Sequence, residues 1–208
     1  MAEVFVNALA KSAGIVTTSP SSAVGVTTTV ITGISTVNLA VGYLVNNQHF
    51  RGGTKVVSID TPTSVTVDKS STNTSAASNQ NVKFMGPTAA YTSPGGTKSI
   101  LIGGTFANLT NNNVHITVEI VTGVTSTTIA NDIPVPTGSS FVISDAGKTV
   151  MAGGDVINIY CDTENAVDGT FGADISEEHR LIVQSPLLVK QIHLLVFKHH
   201  LFLTLVMM

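Results

Sequence analysis

The sequence has no tryptophan, a single cysteine and very little charge: 10 Lys and Arg stand against 13 Asp and Glu, together 11% of 208 residues. A formal charge of −3 leaves no basic field to follow a phosphate backbone, and aromatics at 5% leave little surface for stacked bases. Nucleic-acid binding is therefore not expected. One cysteine, Cys161, cannot close an internal disulfide or build a multi-cysteine zinc site. It flanks the apolar run 156–160 and reads as a small buried hydrophobe, not a reactive thiol. The opening residues carry an acid at Glu3 and no basic region ahead of a long apolar one, so no secretory signal is expected.

The abundant residues are Val (27), Ile (16) and Thr (28), whose branched Cβ atoms pack well on a pleated sheet and poorly in helices. Thr, with Ser (19) and Asn (14), fills the water-facing positions that Lys and Glu would otherwise occupy. The expected fold class is all-β, as two small antiparallel modules: a barrel-like or hairpin module followed by a β-sandwich. A short N-terminal arm precedes them and an apolar C-terminal tail follows.

Turn chemistry divides the chain. Residues 1–13 form the arm, where Ala8, Leu9, Ala10 and Lys11 permit a helical turn. The first module spans 14–86, with strands predicted at 27–34, 41–45, 54–59, 64–68 and 82–85, and a Ser/Thr/Asn-rich loop or hairpin edge at 69–81. Gly86-Pro87 punctuates the boundary. The sandwich spans 87–178, with strands at 99–107, 114–121, 126–129, 139–144, around Val150, 156–161 and 169–175. Its cleanest alternation sets Val114, Ile116, Val118 and Ile120 on one face and His115, Thr117 and Glu119 on the other. Asn111-Asn112-Asn113 predicts a hairpin turn, since Asn tolerates positive φ.

Residues 179–208 change style abruptly and carry four of the six His. Lys190, His193, Lys198, His199 and His200 interrupt the apolar run before it reaches the ~18 residues of a membrane span, so none is expected. Two readings stay open: a helix docking in a partner groove, or an appendage with no evolved role.

Candidate chemistry is sparse, and no catalytic, cofactor-binding or metal site is expected. Asp132, Asp145, Asp155, Asp162, Asp168 and Asp174 lack the compact spacing of a calcium loop, and most read as turn residues. The pairs at Gly52, Gly95, Gly103 and Gly153 lack the Lys and following helix of a phosphate cradle. His193, His199 and His200 could share a helix face, yet no carboxylate or thiolate accompanies them between 179 and 208. His49 and His115 fall in different modules, and neither marks a base beside a particular nucleophile.

Two stretches carry recognisable patterns. The first comprises Ile31-Thr-Gly-Ile-Ser, Val41-Gly-Tyr-Leu-Val, Gly53-Thr-Lys-Val-Val-Ser-Ile-Asp, Ser64-Val-Thr-Val-Asp and Val82-Lys-Phe. It resembles a small β module of tailed-bacteriophage structural and tail-associated proteins, except that Asn46-Asn47-Gln48 replaces a small Gly-rich turn. The second comprises Tyr91-Thr-Ser-Pro, Ser99-Ile-Leu-Ile-Gly-Gly-Thr-Phe-Ala-Asn-Leu-Thr, Val114-His-Ile-Thr-Val-Glu-Ile, Ile133-Pro-Val-Pro-Thr-Gly-Ser-Ser-Phe-Val-Ile and Val150-Met-Ala-Gly-Gly-Asp-Val-Ile. It is similar to small β-sandwich virion proteins of tailed phages.

The resemblance implies a non-enzymatic virion component, assembled in the host cytoplasm and carried on the particle. A capsid decoration or cement role is expected, through β-surface contacts with copies of itself (a homo-oligomer) and with other virion proteins such as the major capsid protein. The alternative is a tail, neck or fibre component, host-surface binders included. Tyr43, Tyr91, Tyr160 and eight Phe are few aromatics for a carbohydrate-binding version.

Overall fold

A computed structural model of the chain describes residues 4–177. These residues form β1 (Val4–Ala13), β2 (Ile15–Val24), β3 (Val30–Thr32), β4 (Leu44–Asn46), β5 (Val56–Thr61), β6 (Ser64–Val67) and β7 (Ala77–Gly86). They continue with β8 (Thr88–Thr92), β9 (Thr97–Asn108), β10 (Val114–Thr122), β11 (Thr125–Val135), β12 (Ser140–Ala152), β13 (Val156–Cys161) and β14 (Val167–Glu177). The all-β composition thus has the architecture that its β-branched residues require. The apolar segment 179–208, with His193, His199 and His200, lies outside the described residues.

Three antiparallel sheets result, ordered β4-β7-β2-β3-β6-β5, β1-β14-β9-β12 and β11-β10-β13-β8. The first curls around Ile31, Val65, Val82 and Phe84, all fully buried. Its edges approach at an isolated bridge between Leu44 and Lys55, and it is not a closed barrel. The other two sheets face each other as a sandwich, because alternation gives each strand one apolar face. Ile116 and Val118 of β10 and Ile157, Ile159 and Cys161 of β13 meet Leu101 and Phe106 of β9 and Phe171 of β14 in one core. Phe106 and Phe171 pack edge to face with centroids 5.2 Å apart, a geometry that adds about 0.5–1.5 kcal/mol beyond area burial.

β1 and β2 are one path through the molecule, bent between the sandwich and the first sheet at Gly14. Its φ is +126°, and a Cβ there would lie 2.2 Å from the Thr163 carbonyl oxygen, so the position requires glycine. Leu44 and Met85 of the first sheet close on Tyr160 of the sandwich in a third, smaller apolar cluster. That seam covers the outer side of β10 and β13.

Several local expectations are corrected. No helical turn forms at residues 8–11: β1 pairs with β14 from Val4↔Ile175 to Ala10↔Gly169, and hydrogen-bonded pairing outweighs the few tenths of a kcal/mol of helix preference in Ala, Leu and Lys. Of residues 69–81, expected as a loop or hairpin edge, 77–81 belong to β7. Residues 15–24, where no strand is expected, are β2, which hosts Pro20 where its register with β7 breaks between Ser19 and Ser22. The Asn111–Asn113 turn is not a hairpin, because β9 and β10 belong to different sheets. It is an arch between layers, in which Asn108 Nδ2 donates to the Asn112 and Val135 carbonyls at 2.8 and 2.9 Å.

Candidate functional site

Polar chemistry concentrates at the seam. Glu119, on the face of β10 opposite the sandwich core, is 1% exposed and accepts from Lys55 Nζ at 2.7 Å and from Tyr160 OH at 3.3 Å through Oε2. Thr128 Oγ1 donates to Oε1 at 3.3 Å, and Lys55 also donates to Ser126 Oγ at 2.6 Å. Burial first, and then the Glu119 charge beside it, push the Tyr160 phenol well above its usual range. A cation, a carboxylate and a phenol locked together in this way satisfy one another. The cluster ties module to module and offers no free group to a substrate.

His115 sits at the rim of the seam, with Nδ1 3.7 Å from Asp132 Oδ1 and 3.8 Å from Asp162 Oδ2. Asp162 is already engaged, accepting from the His115 backbone N–H at 2.9 Å, and Lys83 Nζ donates to its carbonyl at 2.8 Å. These neighbours can orient an imidazole, but they supply it with no nucleophile. His49, in the first module, lies beside Gln48, with its Nε2 3.4 Å from Gln48 Nε2. The structure does not bring the two histidines into one site.

The turn reading holds for Asp155 and Asp162, which lie between strands, and is corrected for Asp132 in β11, Asp145 in β12 and Asp168 and Asp174 in β14. Asp155 accepts from Ala152 N at 2.8 Å and Asp168 from Ser12 N at 2.6 Å; Ser58 and Thr66 donate to Asp60 at 2.6 and 2.7 Å and hold its carboxyl below the usual range. The Asp145 side chain lies outside what is described. Among the described residues no three His, Cys, Asp or Glu converge to hold a metal ion. At Gly52-Gly53 the carbonyls accept from Lys69 Nζ at 3.1 and 2.7 Å, presenting oxygen to a cation where a phosphate cradle presents N–H groups. Burial pushes the Cys161 thiol up to about 11, which leaves it protonated at neutral pH.

Concavities add little chemistry. The seam holds a cavity of about 80 Å³ lined by Phe50, Met85, Thr117 and Asn131, well below the roughly 300–1,000 Å³ of small-molecule sites. A groove of about 410 Å³ between the ends of β2, β3 and β7 is walled by Ala23, Gly25, Thr28, Val30 and Ala77 and carries no titratable side chain.

The two outer faces of the sandwich differ. The face formed by β10 and β13 is covered at the seam, whereas the outer face of β1-β14-β9-β12 exposes Phe5 (71%), Leu9 (73%), Ile102 (49%), Val142 (52%) and Val150 (59%). Register aligns them in rows: Phe5↔Asp174↔Ile100↔Val150, and Leu9↔Thr170↔Thr105↔Val142. Each row places an apolar group on both edge strands of the sheet. No family model, curated protein or solved structure matches this chain.

This surface escapes a reading by residue type, because single exposed apolar residues are ordinary. Register shows that four of them share one face, and Ile102, at the bulge between Leu101 and Gly103, joins them beside Gly172 and Asn7. Among the described residues, no helix is long and apolar enough to cross a membrane.

Proposed function

We propose that the protein is a non-enzymatic structural component of a tailed-phage particle, decorating or cementing the capsid through the outer face of its β1-β14-β9-β12 sheet. The observation that carries this reading is the concentration of Phe5, Leu9, Ile102, Val142 and Val150 on one open sheet face. Exposed apolar side chains gathered on one sheet face, here interleaved with Asp174, Thr170 and Thr105, favour cover by another protein. Two further features support it. The buried ionisable network around Glu119 is spent on joining the first sheet to the sandwich, and the seam cavity, although Asp132 is in its lining, is only about 80 Å³. A partner that binds only the assembled lattice stabilises that lattice by mass action.

Electron microscopy of intact particles tests the reading. Density for this fold spread over the head lattice, with the β1-β14-β9-β12 face against the shell, is the expected result. Density confined to the tail axis, or absent from the particle, overturns it.

A further inference from the structure

We infer that β1 pairs antiparallel with β1 of a second copy of this chain, about a two-fold axis at Asn7, joining two four-stranded sheets into one of eight strands. This rests on the reading of the outer face as an assembly surface and names the partner that meets its edge.

The first observation concerns edges. A strand at a sheet edge presents unpaired N–H and C=O groups, and proteins blunt such edges with short strands, bulges, Pro or charge. The described sheets have six edges, at β1, β12, β11, β8, β4 and β5. β4 has three residues and β8 five, while β5, β11 and β12 each break register with their neighbour. β1 also shifts register, between Ala10 and Ala13, and carries Lys11 there, but over Val4–Ala10 it keeps seven consecutive pairs with β14 and has no Pro, Gly or charged residue. Among the described residues, β14 is the strand to which β1 is hydrogen-bonded.

The second observation is the pattern along β1. Phe5, Asn7, Leu9 and Lys11 are exposed at alternate positions. A two-fold axis perpendicular to the sheet keeps these outward groups on one side and pairs residues whose numbers share a constant even sum. With Asn7 on the axis, Phe5 falls opposite Leu9 and Asn7 opposite itself. An aromatic meets an aliphatic side chain, and one amide meets another that can both donate and accept. On the reverse face, Val6 falls opposite Ala8 and Val4 opposite Ala10, setting each branched residue against a small one. Moving the axis one residue either way sets Phe5 against Lys11 or Asn7 and removes the apolar pair. Of the axes at residues 6, 7 and 8, near the middle of the unbroken run, the one at Asn7 pairs Phe5 with Leu9.

Disulfide trapping in the full chain tests this. Opposed Cα atoms of an antiparallel pair lie about 4.5–5.5 Å apart, within disulfide reach, and the native Cys161 is buried. Under mild oxidation Asn7→Cys is expected to give a covalent dimer on a non-reducing gel. Leu9→Cys alone gives none, because its own copy lies four residues away along the strand, roughly 13 Å. Mixing Phe5→Cys with Leu9→Cys restores the covalent dimer. Sedimentation equilibrium of the unsubstituted chain shows a dimer, and Leu9→Lys weakens it at least tenfold with an unchanged circular dichroism spectrum. A monomer at all concentrations, or cross-linking by Leu9→Cys as efficient as by Asn7→Cys, overturns the inference. Particle binding by a purely monomeric chain would sink the dimer and leave the proposed function standing. A trapped dimer absent from particles would do the reverse.

Discussion

Lys55 and Glu119, 64 residues apart in the chain, meet across the seam with Nζ 2.7 Å from Oε2. Glu119 is nearly inaccessible and Lys55 partly exposed, so the carboxylate depends on its cation. Removing one partner of such a pair leaves a buried charge uncompensated, at a cost of about 3–5 kcal/mol. Lys55→Met is therefore expected to lower unfolding free energy by about 3 kcal/mol in urea titrations. Lys55→Met combined with Glu119→Leu recovers most of that loss, because two apolar groups need no compensation. A double variant as unstable as the single one would show that the pair adds more than mutual neutralisation.

Alkaline pH is expected to weaken the fold. The Cys161 thiol is raised from 9.0 to about 11, first by burial, and burial followed by the Glu119 charge raises the Tyr160 phenol in the same direction. A group whose pKa is raised in the folded state favours its neutral form there. The stability that Cys161 contributes is complete below pH 9 and declines as pH rises toward 11, by about 1.4 kcal/mol for each pH unit of that interval. Thermal melts from pH 8 to 11 should show falling Tm, and Cys161→Ala should flatten part of that slope. A thiol reagent at pH 8 should label Cys161 only after unfolding.

Gly14→Ala tests the pivot between β1 and β2. The added Cβ meets the Thr163 carbonyl oxygen and the φ of +126° is strained for any L side chain, so a loss of at least about 1–3 kcal/mol is expected. Gly123→Ala in the β10–β11 turn has open space at its Cβ and a φ of +60°, and should cost about 1 kcal/mol. Equal losses from the two would show that neither the contact nor the φ of +126° at Gly14 costs more than an ordinary left-handed position.

Two phenylalanines separate stability from assembly. Phe171 is 2% exposed in the sandwich core, and its replacement by Ala should cost about 3–5 kcal/mol. Phe5→Ala should change unfolding free energy by no more than about 0.5 kcal/mol, as exposed sites do. Its effect should appear in association, read by sedimentation.

Much of the fold was legible from alternation. Val114, Ile116 and Val118 point into the sandwich as their period of two requires, and Cys161 is a buried hydrophobe opposite Ile116. Glu119 shows where such reading ends. Alternation put it on the outer face of β10, which is correct, but that face is buried because Lys55 and Tyr160 arrive from elsewhere in the fold. β2 was hidden by Ser19-Pro20-Ser21-Ser22, a turn-like string that the sheet accommodates as a register break. The Asn111–Asn113 arch looked like a hairpin because turn residues report a reversal, not which sheet the chain enters next. The apolar outer face depends on which strands are neighbours, and no local window of sequence contains that.

Hydroxyl-radical footprinting of the purified chain and of the particle-bound chain tests the assembly surface most directly. Phe5, Leu9, Val142 and Val150 should be oxidised in the free chain and protected in the particle, while Val41 and Val57, exposed in the first module, stay reactive in both. Equal oxidation of Phe5, Leu9, Val142 and Val150 in the two states would contradict the assignment of that face as the surface through which the protein assembles.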